Sequence, residues 1–188
     1  VEGSDLITTD IEPGVFYNKN GIKITAFDVA HLPMDPDTEE LLGLEGATFG
    51  YRVDYKGRSV VFSGDTRSLP GSKIIEISKG VDVLVHETQI PYPGDSKEAK
   101  LANVSMIVHS SPEQVAYVFN ETRPRLGIYH HIIPPETTRD ELLGMTDYDG
   151  RMEVAEDLMT LMIGDEITVG MAERMDGQTF LESDAVDE

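Results

Sequence analysis

Gly50-Tyr51-Arg52-Val53-Asp54-Tyr55-Lys56-Gly57-Arg58-Ser59-Val60-Val61-Phe62-Ser63-Gly64-Asp65-Thr66 is the stretch that decides how this chain folds. Phe49 to Tyr55 and Arg58 to Phe62 are rich in aromatic and β-branched residues, and Lys56-Gly57 between them is a two-residue connection of hairpin type. The second strand leaves through Ser63-Gly64. Glycine there lets the backbone turn tightly, so that Asp65 can point across the sheet edge. An aspartate after Ser-Gly is also a common turn residue, so its meaning depends on what lies around it.

Working outward, Ile22, Ile24 and Ala26 alternate with polar residues and predict a strand to about Ala30, followed by His31 and a Pro-rich, acidic loop to Glu45. Val81 to Val85 reads as a buried strand ending at His86-Glu87, and Leu126 to Tyr129 as another ending at His130-His131. Ser111-Pro112-Glu113-Gln114 announces a helix, with Ser as N-cap, Pro at the first turn and Gln at the third position. Val115, Val118 and Phe119 form its apolar stripe. Helical patterns are expected around Arg139 to Leu143 and Val154 to Leu161, then a strand near Glu166 to Val169 and an acidic, frayed tail from Glu182. The pattern is α/β, with no internal repeat and no linker dividing residues 1–188.

The 188 residues are 39% hydrophobic and 27% charged, a globular composition, and no apolar run approaches the ~20 residues of a membrane span. Thirty-five acidic residues against 15 Lys and Arg give a net charge of -20, which argues against nucleic acid and anionic lipid as partners. The densest basic segment, Arg123-Pro124-Arg125, is too small to cover a nucleic-acid backbone. Without cysteine there is neither a disulfide framework nor a thiolate metal site, and the compartment stays open.

All five histidines, His31, His86, His109, His130 and His131, are read at segment ends, and Asp65 shares that placement. Imidazoles and a carboxylate gathered on one rim suit zinc, manganese or iron. Each has a structural alternative: His86-Glu87 as a strand-end pair bonded to backbone, His31 as a solvent-facing loop residue, and one of His130 and His131 turned away from the rim.

The order of these segments resembles the metallo-β-lactamase superfamily, in its ribonuclease Z and arylsulfatase-like branch. The resemblance runs through Gly50 to Thr66, Asp82-Val83-Leu84-Val85-His86-Glu87-Thr88, His109 to Ala116, and Gly127-Ile128-Tyr129-His130-His131-Ile132, with Tyr148-Asp149-Gly150 to Ile163-Gly164 like the tail of the arylsulfatase-like members. It implies the C-terminal half of a four-layer αββα sandwich. Residue by residue, it implies that Asp65 bridges two metal ions, that His131 binds one of them, and that His109 assists proton transfer. Glu87 falls near the substrate, with His86, His130 and His31 as neighbours of the site.

The family's N-terminal His-x-His-x-Asp-His motif is the departure, because no His-x-His occurs in this sequence. The chain is therefore expected to be a fragment, or one piece of a split or nicked protein. It would be inactive and poorly metallated alone and completed by an N-terminal half, with a nick suited to the polar stretch Glu2 to Asp10. The expected activity is hydrolysis of a small anionic phosphate or sulfate ester by two divalent ions, zinc first with manganese or iron as alternatives, ~3.5–4 Å apart around a hydroxide. A tRNA 3′-processing endonuclease and a metal-free scaffold half are the alternatives, and homo-oligomerisation is left open.

Overall fold

A computed structural model describes residues 8–31 and 48–171. The Leu32 to Glu45 loop, the tail from Glu182 and most of Glu2 to Asp10 lie outside the described residues. The chain divides into two compact units, 1–155 and 156–188.

The first unit is built on a seven-stranded sheet in sequential order. Its strands are β1 (Gly14–Lys19), β2 (Ile22–Asp28), β3 (Phe49–Tyr55), β4 (Arg58–Phe62), β5 (Val83–Gln89), β6 (Leu126–Ile133) and β7 (Met152–Val154). The first four pair antiparallel, and β4 to β7 are parallel. The antiparallel part follows from local turn chemistry. Asn20-Gly21 (φ 54° and 77°) and Lys56-Gly57 (φ 47° and 76°) adopt the left-handed pairs that match strand twist. The parallel part needs crossovers, supplied by α1 (Lys73–Ile77), by α2 (Lys97–Ala102) with a 3₁₀ turn (Asn103–Ile107) and α3 (Pro112–Thr122), and by α4 (Arg139–Gly144). The helix start at Ser111 is a complete capping box with Gln114.

Strand alternation sorts the residues onto two faces. Val61, Leu84 and Tyr129 join Ile74 of α1, Val115, Val118 and Phe119 of α3 and Leu142 of α4 in one core. Gly127 lies against Phe119, where an added Cβ would approach the ring to 2.9 Å. The other face carries Val60, Val83 and Leu126 in one row and Tyr51, Phe62, Val85 and Ile128 in the next. Phe62 there is 43% exposed and Phe16 42%, and Phe16 meets Tyr51 edge-on at 5.9 Å.

Three sequence expectations change. β5 and β6 run past their apolar runs to Gln89 and Ile133, so His86, His130 and His131 lie inside strands and not at segment ends. β1 was not anticipated. Val154 to Leu161 is not helical: β7 ends at Val154 and β8 (Met159–Ile163) begins five residues later, pairing with β9 (Ile167–Met171) as a hairpin in the second unit. The half-buried Met159, Leu161 and Ile163 alternate with exposed Thr160 and Met162, and this period of two outweighs the coincidental helical spacing.

Candidate metal centre

The carboxylate loop after β4 is the centre of the site. Gly64 has φ 61°, and a Cβ there would come within 2.8 Å of the Phe49 carbonyl, so only glycine fits the turn that delivers Asp65. Asp65 Oδ2 lies 3.3 Å from His131 Nε2 and 3.8 Å from His31 Nε2. The ring of His109 stands 5.1 Å from that of His31 and 5.6 Å from that of His131, centroid to centroid. Ligand atoms of His31, Asp65 and His109 all fall within 4.8 Å of one another.

Four separate segments supply these groups, and buried hydrogen bonds hold them in register. The Ala30 N–H donates to Thr66 Oγ1 (3.1 Å) and the Arg67 N–H to the Ala30 carbonyl (2.8 Å), which fixes His31 beside the Asp65 loop. Ser110 Oγ donates to the Thr66 carbonyl (2.6 Å) and accepts the Ser68 N–H (2.9 Å), which fixes His109 to the same loop. Glu87, fully buried, joins both: Oε1 accepts the N–H groups of Ser110 (2.8 Å) and Thr66 (3.2 Å), and Oε2 meets His109 Nδ1 at 3.2 Å. Burial pushes the Glu87 carboxyl up to about 8, against the two N–H groups and with help from the Asp65 charge. Burial and then the neighbouring His31 hold His109 below the ordinary histidine value.

His131 reaches the rim through a β-bulge. The β5–β6 register pairs Glu87 with His130 and Thr88 with Ile132, leaving His131 as the extra residue, with φ 44°. A bulge re-aims one side chain at the cost of one unpaired residue. His130, one position earlier, is the inward member of the pair, and its Nε2 is buried with no hydrogen-bond partner among the described residues.

His86 does not reach the rim. Alternation turns it to the helix side of β5, fully buried, where Nδ1 meets the Glu87 carbonyl at 2.7 Å and Nε2 meets Ser68 Oγ at 2.9 Å. Burial pushes its value down to about 4. The ring is therefore neutral, with the proton on Nδ1 and Nε2 accepting from Ser68. Its part is to anchor the Asp65 loop from below. Conversely His31, expected only as a neighbour, is drawn into the cluster, so it joins Asp65, His131 and His109, the three residues expected there as metal ligands and proton-transfer group. The signal was present in the sequence, since His31 follows a strand in the same way as Asp65. The anchoring hydroxyls of Thr66, Ser68 and Ser110 had not been singled out.

The donor set fits a divalent transition ion. It consists of imidazoles and a carboxylate, and the His109 ring is held beside them through its Nδ1 by the buried Glu87 carboxyl.

A sheet whose strand ends carry this cluster places the chain among metallo-β-lactamase-type proteins. The chain belongs to the beta-lactamase superfamily, whose domain model matches residues 4–132, on its ribonuclease Z side. Ribonuclease Z of Mycobacterium tuberculosis is 27% identical over 156 residues, covering 77% of this chain and 50% of the relative. Ribonuclease Z of Thermoplasma acidophilum is 36% identical over 88 residues, covering 43% of this chain and 26% of the relative. The chain thus spans about half the length of the curated M. tuberculosis relative. Among solved structures, the metallo-beta-lactamase fold protein YhfI from Bacillus subtilis matches with a TM-score of 0.54 at 15% identity, over 74% of this chain and 49% of that one. This likeness establishes the fold.

Proposed function

We propose that the protein is a divalent-metal-dependent hydrolase of phosphate or sulfate esters, active when an N-terminal half completes the ligand set. The convergence of His31, Asp65, His109 and His131 carries this reading. On the sheet face opposite the helix-covered core, Phe62 (43% exposed) and Phe16 (42%) stay open on the antiparallel strands while Val83, Val85, Leu126 and Ile128 are buried, which supports a further layer packed over the antiparallel part.

Asp65, reached by histidines from two sides, would hold divalent ions together with His31 and His131. Bound there, divalent ions supply Lewis acidity and activate water at neutral pH. Glu87, neutral at pH 7, donates from Oε2 to His109 Nδ1 and so leaves the ring proton on Nε2. His109 can then give that proton to the departing oxygen. Ser110 and Thr66 hold Glu87 in place, so the proton path is ordered before substrate arrives.

In the Asp65→Ala variant, metal content by elemental analysis and turnover of bis(p-nitrophenyl) phosphate should fall together, by at least about a hundredfold in turnover. Unchanged metal content would remove the assignment. Intact masses of every polypeptide in the active material test for the N-terminal half.

The ribonuclease Z relatives favour a second reading, tRNA 3′-processing. The net charge of -20 opposes it, because RNA binding needs phosphate-neutralising cations. Salt separates the two: RNA cleavage should weaken steeply between 50 and 200 mM, small-ester turnover only mildly. A scaffold half without chemistry would hold no metal in either assay.

A further inference from the structure

A second concavity opens past the C-terminal ends of β5 and β6, the two strands that carry Glu87 and His131. The Ile90 N–H donates to the Ile133 carbonyl at 2.7 Å, tying the segment that leaves β5 to the end of β6. Between that segment and α4 lies a cleft of about 280 Å³, walled by Ile90, Tyr92, Pro93, Pro134 and Met145. These are flat or pliable apolar surfaces, and Met145 is 44% exposed.

The Tyr92 wall is fixed before any ligand arrives. Its N–H donates to Asn103 Oδ1 (2.8 Å), and Asn103 Nδ2 donates back to the Tyr92 carbonyl (3.0 Å). Ser105 Oγ donates to Gln89 Oε1 at 2.9 Å and closes the same loop at its base. Such preorganisation removes an ordering cost from binding.

Charge narrows the occupant. The acidic side chains lining the cleft are Glu136 and Glu141, with no Lys, Arg or His among its lining residues. The Glu141 carboxylate accepts from Thr138 Oγ1 (2.7 Å) and the Thr138 N–H (2.9 Å), bonds that hold its value below the usual range and keep it ionised. Anions are therefore disfavoured in the cleft. Pro134 follows directly after β6, three residues beyond His131, a reach of at most about 10 Å.

We infer that this cleft seats the organic arm of the ester, an aromatic or similarly flat apolar group that is neutral or cationic, while the anionic head lies at the histidine rim. The inference rests on the hydrolase reading and gives it a substrate class. A cleft of this size takes one ring system, and a polynucleotide continuing through it would bring a further phosphate against Glu136 and Glu141.

The methyl group of Met145 is a built-in reporter. With methionine methyls labelled in ¹³C and the Met145 signal assigned by Met145→Leu, zinc-loaded protein is titrated with 1-naphthylmethylphosphonate and separately with methylphosphonate. The expected result is a saturable Met145 shift with the naphthyl probe alone, and about a fivefold or greater loss of naphthyl affinity in Tyr92→Ala. A stationary Met145 signal, an equal shift with methylphosphonate, or an unchanged naphthyl affinity in Tyr92→Ala overturns the inference. The two readings fail separately. Absence of ester turnover with a moving Met145 signal removes the hydrolase, whereas turnover with a stationary signal removes only the cleft.

Discussion

Glu87→Gln isolates the energetics of the buried carboxyl that links Thr66, Ser110 and His109. Glutamine keeps the shape. Its oxygen still accepts both backbone N–H groups, and its amide can donate to His109 Nδ1, so the fold should survive. What disappears is one titration. The carboxyl has a folded value of about 8 against an ordinary 4.5, so the folded state holds a proton that the unfolded chain releases. This stabilisation is complete below pH 4.5 and is lost as pH rises through 8, at about 1.4 kcal/mol per unit and about 5 kcal/mol in all. The assay is urea unfolding of metal-free wild type and variant at several pH values between 4.5 and 8. The difference between the two should shrink steadily in favour of the variant as pH rises, while the other acidic groups cancel. A difference independent of pH would mean that burial does not hold the proton. One that grows with pH would mean that Glu87 is ionised against a charged His109. Either result refutes the proton path proposed for catalysis.

His86 titrates in the opposite sense. Its value of about 4 in the fold lies below the ordinary 6.5, so its contribution is complete above pH 6.5 and about 3 kcal/mol is lost as pH falls to 4; a His86→Gln variant should lack that acid dependence in urea unfolding. Thr66→Val removes the hydroxyl that accepts the Ala30 N–H, and should weaken metal binding roughly 10-fold by equilibrium dialysis, through looser placement of His31. Gly127→Ala sets a methyl 2.9 Å from the Phe119 ring and should lower stability by about 1–3 kcal/mol, read as a lower urea midpoint.

The hairpin from Phe49 to Phe62 and the capped helix at Ser111 were legible because single residues decide them: Lys56-Gly57 permits one turn, and Ser111 with Gln114 closes one cap. Asp65 was legible for the same reason, through Gly64. The ends of β5 and β6 were not. His86, Glu87, Thr88 and Gln89 look like a polar strand exit, yet all four are buried, because each finds a hydrogen-bond partner in a segment distant in sequence. Once β5 continues, alternation separates His86 from Glu87, placing one under the helices and the other at the rim. The choice between His130 and His131 depends on a bulge that only pairing with β5 defines. His31 was undervalued because the Ala30–Thr66 bond that places it spans 36 positions, beyond any local pattern.

These placements bear on how so acidic a chain could accept an anionic ester. At the rim the charged carboxylate is Asp65, since burial keeps Glu87 neutral at pH 7, and His31, His109 and His131 add no negative charge. A divalent ion held there, on the reading proposed above, makes the local field positive even though the chain carries -20. An ionised Glu87 would cancel much of that gain, so on the same reading the raised carboxyl value would serve the binding of an anion as well as proton transfer. The Debye length in physiological salt is about 8 Å, so a small ester feels the rim and little of the remaining surface. A polynucleotide extends well past that distance and meets the acidic surface at every further phosphate. Substrate size would then be selected by electrostatics before any shape complementarity acts, and raising the salt should narrow the difference between short and long phosphodiesters.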